Sequence, residues 1–403
     1  MQKYGFVIQC CEKQIELNTT KATKQKAPNG PRRIMSIATE DPVQQLIDKH
    51  RDLWANHEND CGLIDFELSI DGDPPPPQKQ YRIKPEAESA VHEIVKQLEM
   101  RNIVRRCSST TNSPCLPVPK PNGKWRLCID YQRLNRALPK ATAIVANPAT
   151  FLTTVAADAN WFTVLDIKNG FWSIKVKRED QWKLAFTINQ IQYTWERMPQ
   201  GLHNSPAIFH RAVADVLEPH LATGNVTHYV DDILIGTKGS LKTHLRAVDE
   251  VLTTMKKAGF KLNRDKAQIA KTEVQYLGYT ITPSQRALTE NRRKCITELP
   301  RPHTLNALQK VLGTANYLRD FIPNFAEVAT PLYALLKDKQ KPTDILDWTA
   351  DQEQAFTKLK QQLCSAPALG LPNTAKPFHI QVDAHETTLS GVLAQEHGGN
   401  YGP

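Results

Sequence analysis

Two adjacent aspartates, Asp231 and Asp232, sit inside an otherwise apolar run, THYVDDILIG, from Thr227 to Gly236. Tyr229, Val230, Ile233, Leu234 and Ile235 suit a buried β-strand, yet carboxylates are costly to bury unless something positive sits on them. Apolar residues on both sides predict two strands meeting at a tight turn, with both aspartates at its tip. A second run, FTVLDIKNGFW, predicts a strand over 162–166 that ends at Asp166, where the chain turns toward a helix. If these strands are neighbours in one sheet, Asp166 and Asp231 converge on one spot. Two Mg²⁺ ions ~4 Å apart, bridged by such carboxylates, lower the pKa of an attacking hydroxyl and neutralise a leaving pyrophosphate. Mg²⁺ needs only one or two carboxylates when substrate phosphates complete its shell, so a small acidic cluster suffices. The flanking strands and the second strand-end aspartate weigh against the plainer reading, in which each Asp only caps a turn.

Charge points the same way. The chain has 403 residues, 51 Lys plus Arg against 42 Asp plus Glu, and a net charge of +9, which favours polyanionic partners. Length allows two or three domains. Eight cysteines occur without a CxxC spacing, so neither a zinc ribbon nor a disulfide scaffold is indicated. No apolar run approaches the ~18 residues of a membrane span, and Met1 to Ile8 is not a signal peptide. The expectation is an intracellular, cytoplasmic protein without a membrane partner.

Several breaks divide the chain. Residues 1–20 carry the apolar patch YGFVIQCC; residues 21–40 are polar, basic and linker-like; DGDPPPPQKQ (71–80) reads as a stiff, extended spacer. Over 86–103, Ala87, Val91, Ile94, Val95, Leu98 and Ile103 follow a helical period. From Cys115 to Tyr131 the pattern is strand-like around KPNGKW, whose Asn122-Gly123 signals a hairpin. Residues 185–198 read as a second hairpin. Residues 204–221 read as an amphipathic helix, with Pro206 in its first turn and Ile208, Ala212, Val216 and Leu217 on one face. Residues 244–260 read as another, stopping at Gly259. Beyond about 285 the chain is mostly helical, and PFHIQVDAHETTLSGVLAQEH reads as two short strands. Strands and helices mix without strict βαβ alternation, so the expected class is α+β, without internal repeats.

Lys120, Lys124 and Arg126 surround the 115–131 hairpin, where they could swing over a triphosphate, Arg as a bidentate donor and Lys as a point charge. Charge alone equally fits a solvated basic hairpin. GxxxxGK[ST] and HExxH are both absent, which disfavours a P-loop and a zinc protease.

The runs LPVPKPNGKWRLCIDYQRLN, FTVLDIKNGFWSIKV, RMPQGLHNSPAIFHRAVADVL, HYVDDILIG, KAQIAKTEVQYLGYTI and LGTANYLRDFIPNFAEVATPLYALLK together resemble a retroviral reverse transcriptase of the murine leukaemia virus type, with gypsy-like features. They occur in the family's order and cover about residues 80 to 380. The resemblance implies a right-hand polymerase: fingers and palm over 80–283, thumb over 284–370, and the start of an RNase H-like connection domain over 371–403. It implies Asp166, Asp231 and Asp232 as catalytic metal ligands, Asp166 and Asp231 foremost, for two Mg²⁺ ions, with Mn²⁺ as an alternative. Lys120 and Arg126 would grip the incoming triphosphate, and Phe171 would act as a steric gate against a ribose 2′-OH. Gln200 would line the nucleotide pocket, and Tyr229 and Val230 would pack against the primer end. Residues 276–279, YLGY, match the primer grip, and Lys266 would contact backbone phosphate. Implied partners are an RNA or DNA template-primer and dNTPs, bound by a monomer rather than an obligate dimer, and carried in a virus-like particle where a parent element is active.

Two departures stand out. Asn169-Gly170 replaces the Asp-Ala pair of the murine leukaemia virus type, as in gypsy-like elements. Residues 378–395 resemble the opening strands of an RNase H-like fold, but 403 − 383 = 20 residues follow Asp383, against the ~100 of a usual domain; no RNase H activity is expected. Residues 1–20 are similar to a retropepsin tail without its Asp-(Thr/Ser)-Gly motif, so the chain reads as a truncated piece of an endogenous retroviral Pol polyprotein, with residues 21–79 as linker and N-terminal extension. Three functions follow: an RNA-directed DNA polymerase; a catalytically weak or inactive nucleic-acid-binding remnant, whose phosphate contacts would weaken steeply with salt; or an RNA-dependent RNA polymerase, against which Phe171 argues.

Overall fold

The computed structural model describes residues 10–11, 14–15, 41–120, 123–141, 159–283, 285–337, 341–366, 368–370, 377–385, 388–397 and 400–402. The 21–40 linker, most of the retropepsin-like 1–20 stretch and Asn122 of the basic hairpin lie outside the described residues; within them, Cys10–Cys11 pairs antiparallel with Gln14–Ile15.

Both apolar runs around the aspartates are strands of one antiparallel sheet. Its order is Val226–Tyr229, Asp232–Thr237, Trp161–Asp166 and Gln268–Lys271. Side chains of a strand alternate between faces, and here both faces are covered. Leu165, Ile167, Ile233 and Ile235 enter one core, beside Phe209 and Val213 of the helix Ser205–Leu221 and Val248 and Leu252 of the helix Leu241–Ala258. Phe162, Val164 and Leu234 enter a second core with Tyr276, Ile281 and Leu308. Burial of such side chains contributes about 1.5–3 kcal/mol each, so a one-residue slip of register would exchange the contents of two cores.

The helix expected over 204–221 forms, but its deepest face is centred on Phe209, Ala212, Val213 and Leu217, while Ile208 and Val216 are only half-buried. The next helix starts at Leu241, earlier than its apolar period indicates, because the Ser240 hydroxyl accepts the Thr243 N–H at 3.2 Å. It stops at Gly259, where φ is +89° and a Cβ would lie 2.1 Å from the Leu63 carbonyl oxygen. From this helix the His244 ring bridges Thr163 Oγ1 at 2.7 Å and Thr237 Oγ1 at 2.8 Å beneath the sheet. Burial pushes its pKa down to about 4.

The helix Pro85–Met100 buries Ala87, Val91, Val95 and Leu98 against a three-stranded sheet of Val104–Arg106, Ile191–Trp195 and Phe186–Ile188. The proline run is no free spacer. Just beyond it, Gln78 N–H donates to Asn112 O at 2.8 Å and the Gln80 amide exchanges two bonds with the Cys115 backbone, fixing the segment along this subdomain.

Past residue 285 the expected helices appear, with Leu305, Leu308, Val311 and Leu312 buried on one face of Leu305–Tyr317. The terminal strands are longer than expected. His379–His385 pairs with Thr388–His397, and Asn400–Gly402 adds a third. Among the described residues only the short Glu67–Leu68 and Lys175–Val176 ladder is parallel; the α+β class holds. No helix of the described residues is long and apolar enough to cross a membrane.

Candidate active site

The two aspartate strands lie side by side. Asp232 pairs directly with Asp166 across one ladder and with Tyr229 across the other, and residues opposite each other in an antiparallel pair have Cα atoms about 4.5–5.5 Å apart. One expectation needs correcting. The tip consists of Val230 and Asp231, and Asp232 is already the first residue of its strand, because Val230 turns the chain with φ of +58°. The Ile167 N–H donates to the Asp231 carbonyl at 2.9 Å, tying the end of one strand to the other's turn.

Like charges on adjacent strands raise each other's pKa, and so does partial burial. Burial chiefly, and then the charge of Asp166, push Asp231 above the usual carboxylate range. Asp232 is pushed up to about 6 by burial, then by Asp231 and Asp166. One cation answers them. The Lys266 ammonium, expected against backbone phosphate, lies 2.8 Å from Asp166 Oδ1, and that hydrogen bond raises its own pKa. Asp166 is nearly buried and Lys266 largely exposed.

Among the described residues no three His, Cys, Asp or Glu side chains are gathered closely enough to hold a metal unaided. The donor set nevertheless fits a hard divalent ion: oxygen ligands on two strand ends, destabilised by mutual repulsion, with a lysine ammonium already placed on one of them. Such an ion would draw its remaining ligands from phosphate and water.

Beside the turn a cavity of about 90 Å³ is lined by Asn169, Gly170, Phe171, Trp172, Gln200, Phe209 and Asp231. It brings Phe171 and Gln200 to Asp231. Phe171 meets Phe209 edge-on, ring centroids 5.5 Å apart. A Cβ on Gly170 would lie 2.3 Å from Phe209 Cζ, so glycine in place of the murine-type alanine matches the ring behind it. Asn169 takes φ of +46°, which Asn tolerates better than most residues. Its amide donates to the Glu58 carbonyl at 2.9 Å and the Asp60 carbonyl at 2.8 Å.

Lys120 and Arg126 stand apart, on the two-strand hairpin Val118–Pro119 and Trp125–Arg126. Lys120 reaches Glu58 at 3.5 Å and Lys124 reaches it at 3.0 Å, while Arg126 is exposed. Glu58 thus links the basic hairpin to Asn169 at the cavity. The YLGY segment also closes on the site: Tyr276 pairs with Tyr279, Leu277 and Gly278 turn with positive φ, and the Tyr276 hydroxyl donates to the Asp232 carbonyl at 3.3 Å. Sequence reasoning missed Glu58 and the Lys266–Asp166 pair, because neither belongs to a periodic pattern.

The sequence matches the family described as reverse transcriptase (RNA-dependent DNA polymerase) over residues 118–281, and the RNase H-like domain found in reverse transcriptase over residues 348–403. It is 35% identical over 330 residues to the Pro-Pol polyprotein of simian foamy virus type 3 (strain LK3), covering 81% of this chain and 28% of that one. It is 36% identical over 332 residues to the Gag-Pol polyprotein of baboon endogenous virus (strain M7), covering 79% and 19%. The chain therefore spans less than a third of the length of these curated relatives. The foamy viral protease-reverse transcriptase in complex with dsDNA superposes with a TM-score of 0.79 at 30% identity, covering 89% of this chain and 75% of that one. Its complex with an RNA/DNA hybrid gives 0.77 at 30% identity, covering 90% and 48%.

Proposed function

This chain belongs to the reverse transcriptase (RNA-dependent DNA polymerase) family, and on that premise we propose that it extends a primer 3′-hydroxyl with deoxynucleotides on an RNA or DNA template. The observation that carries the reading is the register of Asp166 opposite Asp232, with Asp231 on the adjoining turn. Phosphoryl transfer asks little covalent chemistry of a protein; it asks for positioning and charge stabilisation. Asp166 and Asp231, with Asp232 behind them, would hold two divalent ions, Mg²⁺ or Mn²⁺. Those ions, when bound, supply charge neutralisation at the leaving pyrophosphate and a lowered pKa at the primer hydroxyl.

The rest is the work of side chains. Lys120 and Arg126 grip the triphosphate, Lys120 exchanging Glu58 for a phosphate oxygen. Phe171, backed edge-on by Phe209, forms the floor under the sugar and excludes a 2′-hydroxyl. Gln200 borders the same cavity. Tyr229 and Val230 receive the primer terminus, and the Tyr276–Tyr279 hairpin holds it from the other side. The foamy viral relatives bound to dsDNA and to an RNA/DNA hybrid support a template-primer duplex as the polyanionic partner of this basic chain.

Primer extension on poly(rA)/oligo(dT) with Mg²⁺, comparing the chain with its Asp231→Asn variant, tests the reading. Extension by the first and not the second supports it. Extension by neither overturns it in favour of a nucleic-acid-binding remnant.

A further inference from the structure

The catalytic turn is held in an unfavourable conformation. Val230 is β-branched and has φ of +58°, a region that such residues avoid and that persists only where the surroundings impose it. The group that meets it is an imidazole. The Val230 N–H donates to Nδ1 of His210 at 3.3 Å, from the helix Ser205–Leu221 packed under the turn. The His210 ring stacks on His228, with centroids 4.3 Å apart and planes 29° from parallel. His228 is buried on the strand that leads into the turn, and its Nδ1 has no partner among the described residues.

We propose that His210 is a positioning residue for nucleotide addition: as a neutral imidazole with its hydrogen on Nε2, it accepts the Val230 N–H and fixes the turn that carries Asp231. The proposal rests on the polymerase reading above. Only a neutral ring can do this, since an imidazolium donates from both nitrogens and would set two N–H groups against each other. The titratable group facing His210 is His228, on the strand packed against its helix. Burial lowers the His210 pKa. His228 is lowered further, to about 4, by burial and then by His210. A proton entering this stack therefore meets a buried site and a second imidazole, against which a backbone hydrogen bond of His228 with Val230 acts only in part.

The experiment compares the full chain with His210→Leu and His210→Asn. Single-nucleotide extension is followed from pH 5 to pH 8, together with hydrogen exchange at the Val230 amide. Leu fills the space without an acceptor, so kcat should fall about tenfold at neutral pH, a deficit that closes toward acid pH as the wild-type ring takes up its proton, with KM for dNTP unchanged and Val230 protection lost at neutral pH. Asn offers Oδ1 near the position of Nδ1 and cannot be protonated. It should restore most of kcat and Val230 protection, and extend the acid limb of the pH profile below that of the wild type. Undiminished kcat and protection in His210→Leu, or an acid limb in His210→Asn that coincides with the wild type, overturns the proposal. A wild-type chain that extends no primer overturns the polymerase reading and, with it, the positioning role of His210 in nucleotide addition. That failure is told apart by the Val230 amide, whose protection would still be lost in His210→Leu.

Discussion

The aspartate turn and the basic hairpin are both short antiparallel connections that carry charge, but they are built differently. The strands around Asp231 bury side chains into two cores and rest on helices from below. The hairpin around Lys120 has two residues per strand, and Val118 is 41% exposed. The first is over-determined, so its carboxylates keep their places despite raised pKa values. The second is tied to Glu58 through exposed ion pairs of the kind worth about 0–1 kcal/mol. On the proposed reading, chemistry that depends on geometry would sit on the rigid element, and the triphosphate grip on the element held by exchangeable charge.

The largest expected effect tests the rigid side. Asp231→Asn removes a charge from the turn without changing its shape. Extension should fall about 10³-fold or more, since the charge stabilisation at stake is several kcal/mol, while duplex affinity in a filter-binding assay changes little. A loss of only tenfold would place Asp231 on a par with the hairpin and dissolve the contrast.

Acid should damage the rigid side next. His228 and His244 are buried under the sheet with pKa values of about 4, against ~6.5 in an unfolded chain. Between those values the unfolded chain binds more protons than the native one, so stability is full at neutral pH. It is lost progressively as pH falls from about 6.5 to about 4, by roughly 3 kcal/mol for each histidine. Asp232, raised to about 6, acts with the opposite sign, since the native chain binds its proton first as pH falls. Melting temperatures at pH 7.5, 6 and 4.5 should therefore decline, and His244→Gln, which keeps a hydrogen bond but does not titrate, should flatten the decline. A profile unaffected by this substitution would contradict the buried, neutral ring.

On the hairpin, Lys120→Ala combined with Arg126→Ala should raise KM for dNTP about 10- to 100-fold, the loss of charge-assisted phosphate contacts at ~1.5–3 kcal/mol, with kcat reduced much less. If kcat falls as far as in Asp231→Asn, the hairpin takes part in placing the reacting atoms, and the division of labour drawn above fails.

What the sequence made legible follows the same contrast. The two aspartate strands, the Pro85–Met100 helix and the Leu305–Tyr317 helix could be read because buried periodic patterns leave a mark every two or three to four residues. The helix over 204–221 was read with its face slightly turned, since Phe209 and Val213 owe their depth to the sheet and not to their spacing. Asp232 was placed at the tip because nothing in the residue types announces a left-handed valine. Glu58 and Lys266 had no sequence signal: each is one charged residue that meets its partner across 62 and 100 positions, and a single charge on an irregular segment has no period. Cores are written in repetition, whereas the ties between a site and its surroundings are written one residue at a time.

The smallest effect concerns such a tie. Glu58 is the counter-charge of both Lys120 and Lys124, and Lys124, first by its hydrogen bond and then by its charge, lowers the Glu58 pKa. On the proposed reading, a triphosphate would compete with this carboxylate for the two ammonium groups. Glu58→Gln keeps the backbone carbonyl that accepts from Asn169 and removes only the charge, so it should lower KM for dNTP about two- to fivefold, the scale of an exposed pair, and leave kcat unchanged. The gain should shrink as ionic strength rises from 0.05 M toward ~1 M, where the Debye length contracts to about 3 Å. A rise in KM instead would mean that Glu58 holds the hairpin in its gripping position, and the exchangeable element would then belong with the rigid one.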